Sequence, residues 1–239
     1  MRRRHTRSGA RPVLPPGQHR VDRFPRFGTH FHNPAPAVPA DPSIAISGAV
    51  VAPFSVPLSE LATYPRRELV ADFHCVAGWS ATNLRWEGVA FETLYRRTIE
   101  PSLQPHKPIT HVVFGGLDGY RSIVQIEDAL GDDVLMAEHL DGRPLDSDHG
   151  APVRLVSPSQ YGYISTKHLC AVELHTTEPP ADYHPSRVTQ LGLALVKPHR
   201  RARVLQEERH RYLPARLVRP IYYRAVSYTH LTLPTNREV

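Results

Sequence analysis

Cys75, in Asp72-Phe73-His74-Cys75-Val76-Ala77-Gly78-Trp79-Ser80, presents a thiol to chemistry. A thiolate is a good ligand for soft or redox-active metals. Well downstream lie His149-Gly150-Ala151-Pro152-Val153-Arg154 and Tyr161-Gly162-Tyr163-Ile164-Ser165-Thr166-Lys167. Arg154, Lys167 and the hydroxyls of Ser165 and Thr166 are groups that hold an oxyanion by charge-assisted hydrogen bonds. One soft donor followed by an anion-binding cluster points to an elongated cofactor, metal at one end and phosphate at the other. Arg154 sits between Pro152-Val153 and Leu155-Val156, a charge inside an apolar run. Arginine is rarely buried without a partner, and either a phosphate or a carboxylate would serve. Lys167 alone is an ordinary surface lysine; the turn-rich Tyr161-Gly162-Tyr163 before it adds backbone amides that can face an anion. His149 is a cofactor contact or the cap of a turn.

The elements that must position these groups are mostly strands. Strand-like runs occur at 43–51, 68–75, 109–116, 121–126, 133–140, 153–158 and 168–176, with Asp118-Gly119 and Asp141-Gly142 at turn positions. Between them, helical patterns are brief, from Leu58 to Ala62, Phe91 to Ile99 and Ile126 to Leu130. These are too few for a doubly wound parallel sheet, so the class is α+β, a strand-rich mixed-sheet domain. Trp79, Trp86 and Phe91 are expected in the core. Asn33-Pro34-Ala35-Pro36-Ala37-Val38-Pro39-Ala40-Asp41-Pro42 cannot enter a ladder and is expected extended on the surface. A charged pattern from Arg201 to Leu213, ending at Pro214, predicts a helix.

The chain has 239 residues and a formal charge of +6. That charge divides into +7 over residues 1–26, −8 over 27–196 and +7 over 197–226. An acidic body with basic ends argues against a nucleic-acid groove through the core. The basic ends suit an acidic partner, an anionic membrane surface or solvent. Two cysteines 95 positions apart form neither a zinc spacing nor a disulfide scaffold, which fits a reducing, cytoplasmic compartment. The N-terminal arginines are not followed by the sustained apolar run of an export signal, and no stretch has the length of a membrane span. Residues 1–20 are expected to be a disordered basic tail outside the fold, 21–196 the main domain and 197–226 a basic C-terminal extension. The last thirteen residues, 227–239, resemble translated sequencing-adapter sequence and are set aside.

From about Val21 to Tyr223 the chain resembles the molybdopterin-binding oxidoreductase domain of the sulfite oxidase family, in a branch without a haem domain. Cys75-Val76-Ala77-Gly78-Trp79-Ser80 is similar to the Cys-Val-x-x-Trp-Ser of the catalytic molybdenum subunit of methionine sulfoxide reductases. The resemblance implies one molybdenum with one molybdopterin, Cys75 as the protein ligand to the metal, and a pterin and phosphate held by the segments matching Asn-Gly-Ala-Pro-x-Arg and Gly-x-Lys. Here His149 replaces the asparagine and Ser165-Thr166-Lys167 replaces Gly-x-Lys. An upstream segment also contacts the pterin in the family, which makes His30 a further cofactor contact. The implied reaction is two-electron oxygen-atom transfer on a small-molecule substrate. With no c-type haem motif in the chain, electrons are exchanged with an external electron-transfer protein.

Sulfite-oxidising relatives carry arginines after the ligand, where this chain has Val76-Ala77-Gly78-Trp79, so a sulfoxide or N-oxide fits better than sulfite. Two other classes stand beside the enzyme reading. A binding module that has lost its metal would have no use for Cys75, and a cysteine hydrolase would need a base on the face of Cys75. His74 is the neighbouring candidate, but adjacent strand residues point to opposite faces. His30 and His32 have metal-ligand spacing without a completing donor nearby. Asp118-Gly119-Tyr120-Arg121 is either a rim loop or a hairpin turn. Cys170, in Leu169-Cys170-Ala171-Val172, reads as a small core hydrophobe.

Overall fold

The computed structural model describes residues 13–25, 34–180 and 198–221. His30, His32, residues 1–12 and the 227–239 tail lie outside the described residues. Among the described residues eleven strands follow in order: β1 (His19–Arg20), β2 (Ser43–Gly48), β3 (Phe54–Pro57), β4 (Arg67–His74), β5 (Trp79–Ala90), β6 (His111–Gly116), β7 (Arg121–Gln125), β8 (Leu135–Leu140), β9 (Arg143–Pro144), β10 (Arg154–Val156) and β11 (Leu169–His175). One sheet runs β1-β5-β8-β10, with β4 paired to β5 and β9 to β8. The other runs β3-β2-β11-β6-β7, with β11 parallel to β2 and the remaining pairs antiparallel. Helical turns lie at Leu58–Leu61 and Ile126–Ala129, and a longer helical segment runs from Phe91–Leu94 through a π-helix at Tyr95–Ile99 into a 3-10 turn at Glu100–Ser102. This is the strand-rich α+β arrangement that the run of apolar segments implies.

The first sheet is buried on both faces, and its alternation decides what meets what. On β8, Met136 joins a large cluster with Ile44, Phe114, Val172 and Leu155, while Leu135 and Ala137 join a second cluster with Phe73, Cys75, Trp79, Trp86 and Val156. Successive strand residues face opposite ways, so a period of two sorts them. The turn after β6 carries Gly119 at φ +78°, with Asp118 Oδ1 accepting the Tyr120 N–H at 2.8 Å. The turn after β8 has Asp141 and Gly142 both at positive φ, the requirement of a two-residue hairpin.

The structure corrects three expectations. First, β5 is the longest strand, twelve residues, and the apolar runs miss it. Asn83 at φ +60° and register shifts on both flanks break its period-two signal. Second, 201–213 is not helical. Ala202 and Glu207 have positive φ, Arg203 and His210 form isolated bridges, and only 215–221 is helical. Ala202 and Val204, two apart, are both buried in the large cluster, an extended placement that a helical period cannot make. The extension's arginines take body carboxylates: Arg200 pairs with Glu178 at 2.8 Å, and Arg201 Nε reaches Asp128 Oδ2 at 2.8 Å. Arg203 pairs with Glu208, and Arg219 with Glu207.

Third, residues 13–20 belong to the fold. β1 pairs in parallel with β5, His19 N–H donates to Gly78 O at 2.8 Å, and Val21 N–H to Ser80 O at 2.9 Å. Deleting residues 1–20 is therefore expected to lower the stability of the metal-free protein by about 2–4 kcal/mol, at about 1 kcal/mol for each bond lost. Denaturant unfolding of the truncated and full chains measures it, and equal midpoints would show that this strap adds nothing.

Candidate functional site

β4 ends at His74, and Cys75–Gly78 makes the turn into β5. Gly78 N–H donates to Cys75 O and Cys75 N–H to Trp79 O, both at 2.9 Å, with Gly78 at φ +100°. The thiol is 4% exposed, within the cluster of Phe73, Trp79 and Trp86. Burial pushes it up to about 12, against a backbone bond at Ala77 and the charge of Arg209. Without a metal, Cys75 is a protonated thiol and a poor nucleophile. His74 does not serve it as a base. Its Nδ1 lies 2.8 Å from Ser80 Oγ, and Ser80 donates its only proton to Gln18 Oε1 at 3.1 Å, so His74 Nδ1–H is the donor. Gln18 Nε2 in turn donates to Cys75 O at 3.0 Å. This chain of bonds orders the turn and leaves the hydrolase reading without a Cys-His pair.

On β10, Leu155 faces the large cluster, and Arg154 takes the same side as Val156, toward Cys75. Its guanidinium is 1% exposed and lies 5.3 Å from the Phe73 and Trp86 ring centres and 5.8 Å from Phe24. Nη1 donates to His149 O at 2.9 Å and Nη2 to Ser165 O at 3.1 Å. Among the described residues no carboxylate pairs with it, and burial alone pushes the guanidinium down to about 9. A buried cation held only by carbonyls and ring faces is one whose energy an anion would lower.

Some of the remaining sequence candidates gather around this arginine, and others do not. Gly150, at φ +106°, has no Cβ; one would fall 3.0 Å from Lys167 Cβ and 3.2 Å from Arg154 Cβ. The bare glycine lets the 146–154 turn lie against both cations. Lys167 Nζ donates to Asp148 O at 2.5 Å. The His149 ring lies 2.7 Å from Asp146 Oδ1 and 3.1 Å from Phe24 O, and stacks on the Phe24 ring. Gly162 N–H donates to His74 O at 2.8 Å, tying the 161–167 loop to the strand that ends before Cys75. The hydroxyls are engaged inside the fold: Ser165 Oγ accepts the Ser157 N–H at 3.2 Å, and Thr166 Oγ1 is 2.8 Å from Ser122 Oγ. Asp118-Gly119-Tyr120-Arg121 is the β6–β7 turn, and Cys170 is half-buried on β11.

Among the described residues, no three His, Cys, Asp or Glu side chains group as a metal cage. A metal on Cys75 must therefore bring its other donors with it. A family model, the oxidoreductase molybdopterin-binding domain, matches residues 32–183. The chain belongs to this family. It is an oxidoreductase with a molybdopterin-binding domain, and the donor set fits that group: one buried thiol without further protein ligands among the described residues, and a buried cation on the same side of the sheet that no described carboxylate pairs. Among solved structures it is similar in fold to the sulfane dehydrogenase SoxCD from Paracoccus pantotrophus, with 22% identity and a TM-score of 0.50. That match covers 57% of this chain and 39% of the other.

Three residues outside the matched segment escape a reading of motifs. Phe24 contributes both a ring under Arg154 and a carbonyl to His149, while Gln18 and Arg209 hold the Cys75 turn. Their signal is weak because each lies in a basic end segment whose composition reads as solvated.

Proposed function

We propose that Cys75 ligates molybdenum, that Arg154 and Lys167 with His149 hold the pterin phosphate, and that the protein carries out two-electron oxygen-atom transfer on a small oxo-substrate. The observation that carries the reading is the Arg154 guanidinium, buried without a carboxylate partner among the described residues, on the face that also holds Cys75. When bound, the group supplies a metal centre that exchanges two electrons with the substrate. The protein's part is to present one thiolate, to keep water from it with Phe24, Phe73 and Trp79, and to offset the phosphate charge. Ser165 and Thr166 support this indirectly, by fixing the loop that carries Lys167. His30 is proposed as an additional pterin contact on the family resemblance.

A sulfoxide or N-oxide is the proposed substrate class. Trp79 is stacked on Phe73 with centres 6.2 Å apart, giving the turn an apolar wall. Sulfite oxidation, the second reading, needs free cations near the ligand. Arg209 and Arg219 do reach the turn, yet Arg219 is paired with Glu207 and Arg209 donates to two backbone carbonyls. A separate electron-transfer protein is proposed as the redox partner, and a reducing compartment, the cytoplasm, on the two free cysteines. Among the described residues no helix is long and apolar enough to cross a membrane.

Protein purified from a host that makes molybdopterin is expected to contain about one molybdenum per chain, the stoichiometry a single cysteine ligand implies. Elemental analysis checks this. Zinc alone, or no metal, from a cofactor-competent host would overturn the proposal and leave the binding module.

A further inference from the structure

The Cys75–Gly78 turn is clamped by two segments remote from it in sequence. Arg209, 1% exposed, donates from Nη1 to Val76 O and from Nη2 to Pro16 O at 3.2 Å, and its guanidinium lies 4.8 Å over the Tyr161 ring. Tyr161 is itself anchored, its N–H donating to Ala202 O at 2.8 Å. The strap on the other side is equally close. A Cβ on Gly17 would lie 2.8 Å from Arg219 Nε and 3.3 Å from Arg209 Nη2, and one on Gly78 would lie 3.0 Å from Gly17 O. Gly17, Ala77, Gly78, Arg209, Arg219 and Pro220 together line a cavity of about 250 Å³ beside the turn. Arg219, paired with Glu207, keeps the C-terminal segment in place there.

We propose that Arg209 is a positioning residue for the metal-ligating turn, fixing the Val76 carbonyl and so the direction in which Cys75 presents its sulfur. The proposal rests on the reading of Cys75 as the ligand. Two carbonyls in different segments and a ring face are matched by one planar, forked cation, and a lysine ammonium offers neither the fork nor the flat face. Gln18 bonds the Cys75 carbonyl from the strap, so successive carbonyls of the turn are held by separate donors. The basic C-terminal segment thereby acquires a role at the site.

The test compares the molybdenum-loaded wild type with Arg209→Met, Arg209→Lys and Cys75→Ser. It reads the sulfur-to-molybdenum charge-transfer absorption, metal content and amide exchange at Gly78, whose bond to Cys75 O closes the turn. Arg209→Met is expected to shift the absorption band and to raise Gly78 exchange about tenfold or more, the scale of one charge-assisted hydrogen bond. Exchange in β6 and β11 should stay at its wild-type rate. Arg209→Lys should retain metal but not recover the wild-type band. A wild-type band and wild-type Gly78 exchange in Arg209→Met would overturn the proposal, as would a uniform rise in exchange across the sheets. Should Arg209→Met fail to fold, Arg209→Lys decides: a shifted band supports the role, and an unchanged band sinks it. The Cys75→Ser arm separates the two claims. An unchanged band there removes Cys75 from the metal and this proposal with it, whereas a changed band there with an unchanged band in the Arg209 variants overturns the Arg209 role alone.

Discussion

Cys75→Ser is expected to abolish turnover and change the sulfur-to-molybdenum charge-transfer absorption while leaving the fold in place. Serine is close in size to cysteine, and the site is a buried turn whose shape is set by backbone bonds from Gly78, Gln18 and Trp79. The cost in the metal-free protein is that of an extra hydroxyl among Phe73, Trp79 and Trp86, about 1–3 kcal/mol, which lowers the melting temperature by several degrees. The functional cost is larger in kind. A serine oxygen is a harder donor than a thiolate, and sulfur donation is what tunes the metal at a single-cysteine site. Activity assays, absorption spectra and melting of the metal-free form check this together. Turnover at the wild-type rate with normal molybdenum content would take Cys75 out of the site.

Arg154→Met is expected to move cofactor retention and metal-free stability independently. Retention should fall about ten- to a hundredfold, because a charge-assisted hydrogen bond to an ionised group contributes about 1.5–3 kcal/mol. Lys167 remains, so the loss is partial. Stability of the metal-free form should stay within about 1 kcal/mol of wild type, since removing a buried cation that lacks a counter-charge offsets the loss of its two good carbonyl bonds. The linkage sign agrees. Burial lowers the folded-state value of Arg154 to about 9, below the unfolded value, so the unfolded chain binds more protons between the two and stability of the metal-free protein rises with pH above about 9. Below that window the full cost of the buried cation is present, and the methionine variant lacks this pH dependence. Arg154→Lys should recover part of the retention only, having no fork. Parallel measurement of pterin content and metal-free melting is the check; a strongly destabilised metal-free form with normal pterin content would make Arg154 a structural residue.

Much of the site's chemistry is legible in residue types and local spacing. Cys75 before Val76-Ala77-Gly78-Trp79, and Arg154 inside an apolar run, are unusual enough to be singled out one at a time, and a soft ligand with an anion cluster implies a particular class of cofactor. The strands β2, β4, β6, β7, β8, β10 and β11 follow from apolar runs because each buries at least one face, and burial leaves its mark on composition. β5 does not, since a left-handed Asn83 and flanking register shifts interrupt the alternation, and its polar residues are satisfied by partners far away: Asn83 N–H by Asp72, and Arg85 N–H by Asp141.

Charge partition is readable as numbers but not as contacts. An acidic body between basic ends is plain from the sequence, yet a count of arginines cannot say that Arg200 and Arg201 meet Glu178 and Asp128, or that Arg209 turns inward under the Cys75 turn. A solvated arginine and a buried one have the same local sequence signal; what separates them is which carbonyls the fold places within about 3 Å of the guanidinium, the hydrogen-bonding distance, and which ring faces it stacks under. The same limit hid Phe24 and Gln18, whose partners lie across the chain. The sequence by itself thus determined the class of chemistry, the choice of Cys75 as the candidate ligand and the strand-rich class of the domain, because these depend on residue identity and short-range pattern. Only the tertiary structure decided that Pro16, Gln18 and Arg209 close on the Cys75 turn, that Thr166 and Ser165 serve the loop, and that Arg154 has no carboxylate among the described residues, because each is a matter of long-range packing that period and composition do not encode.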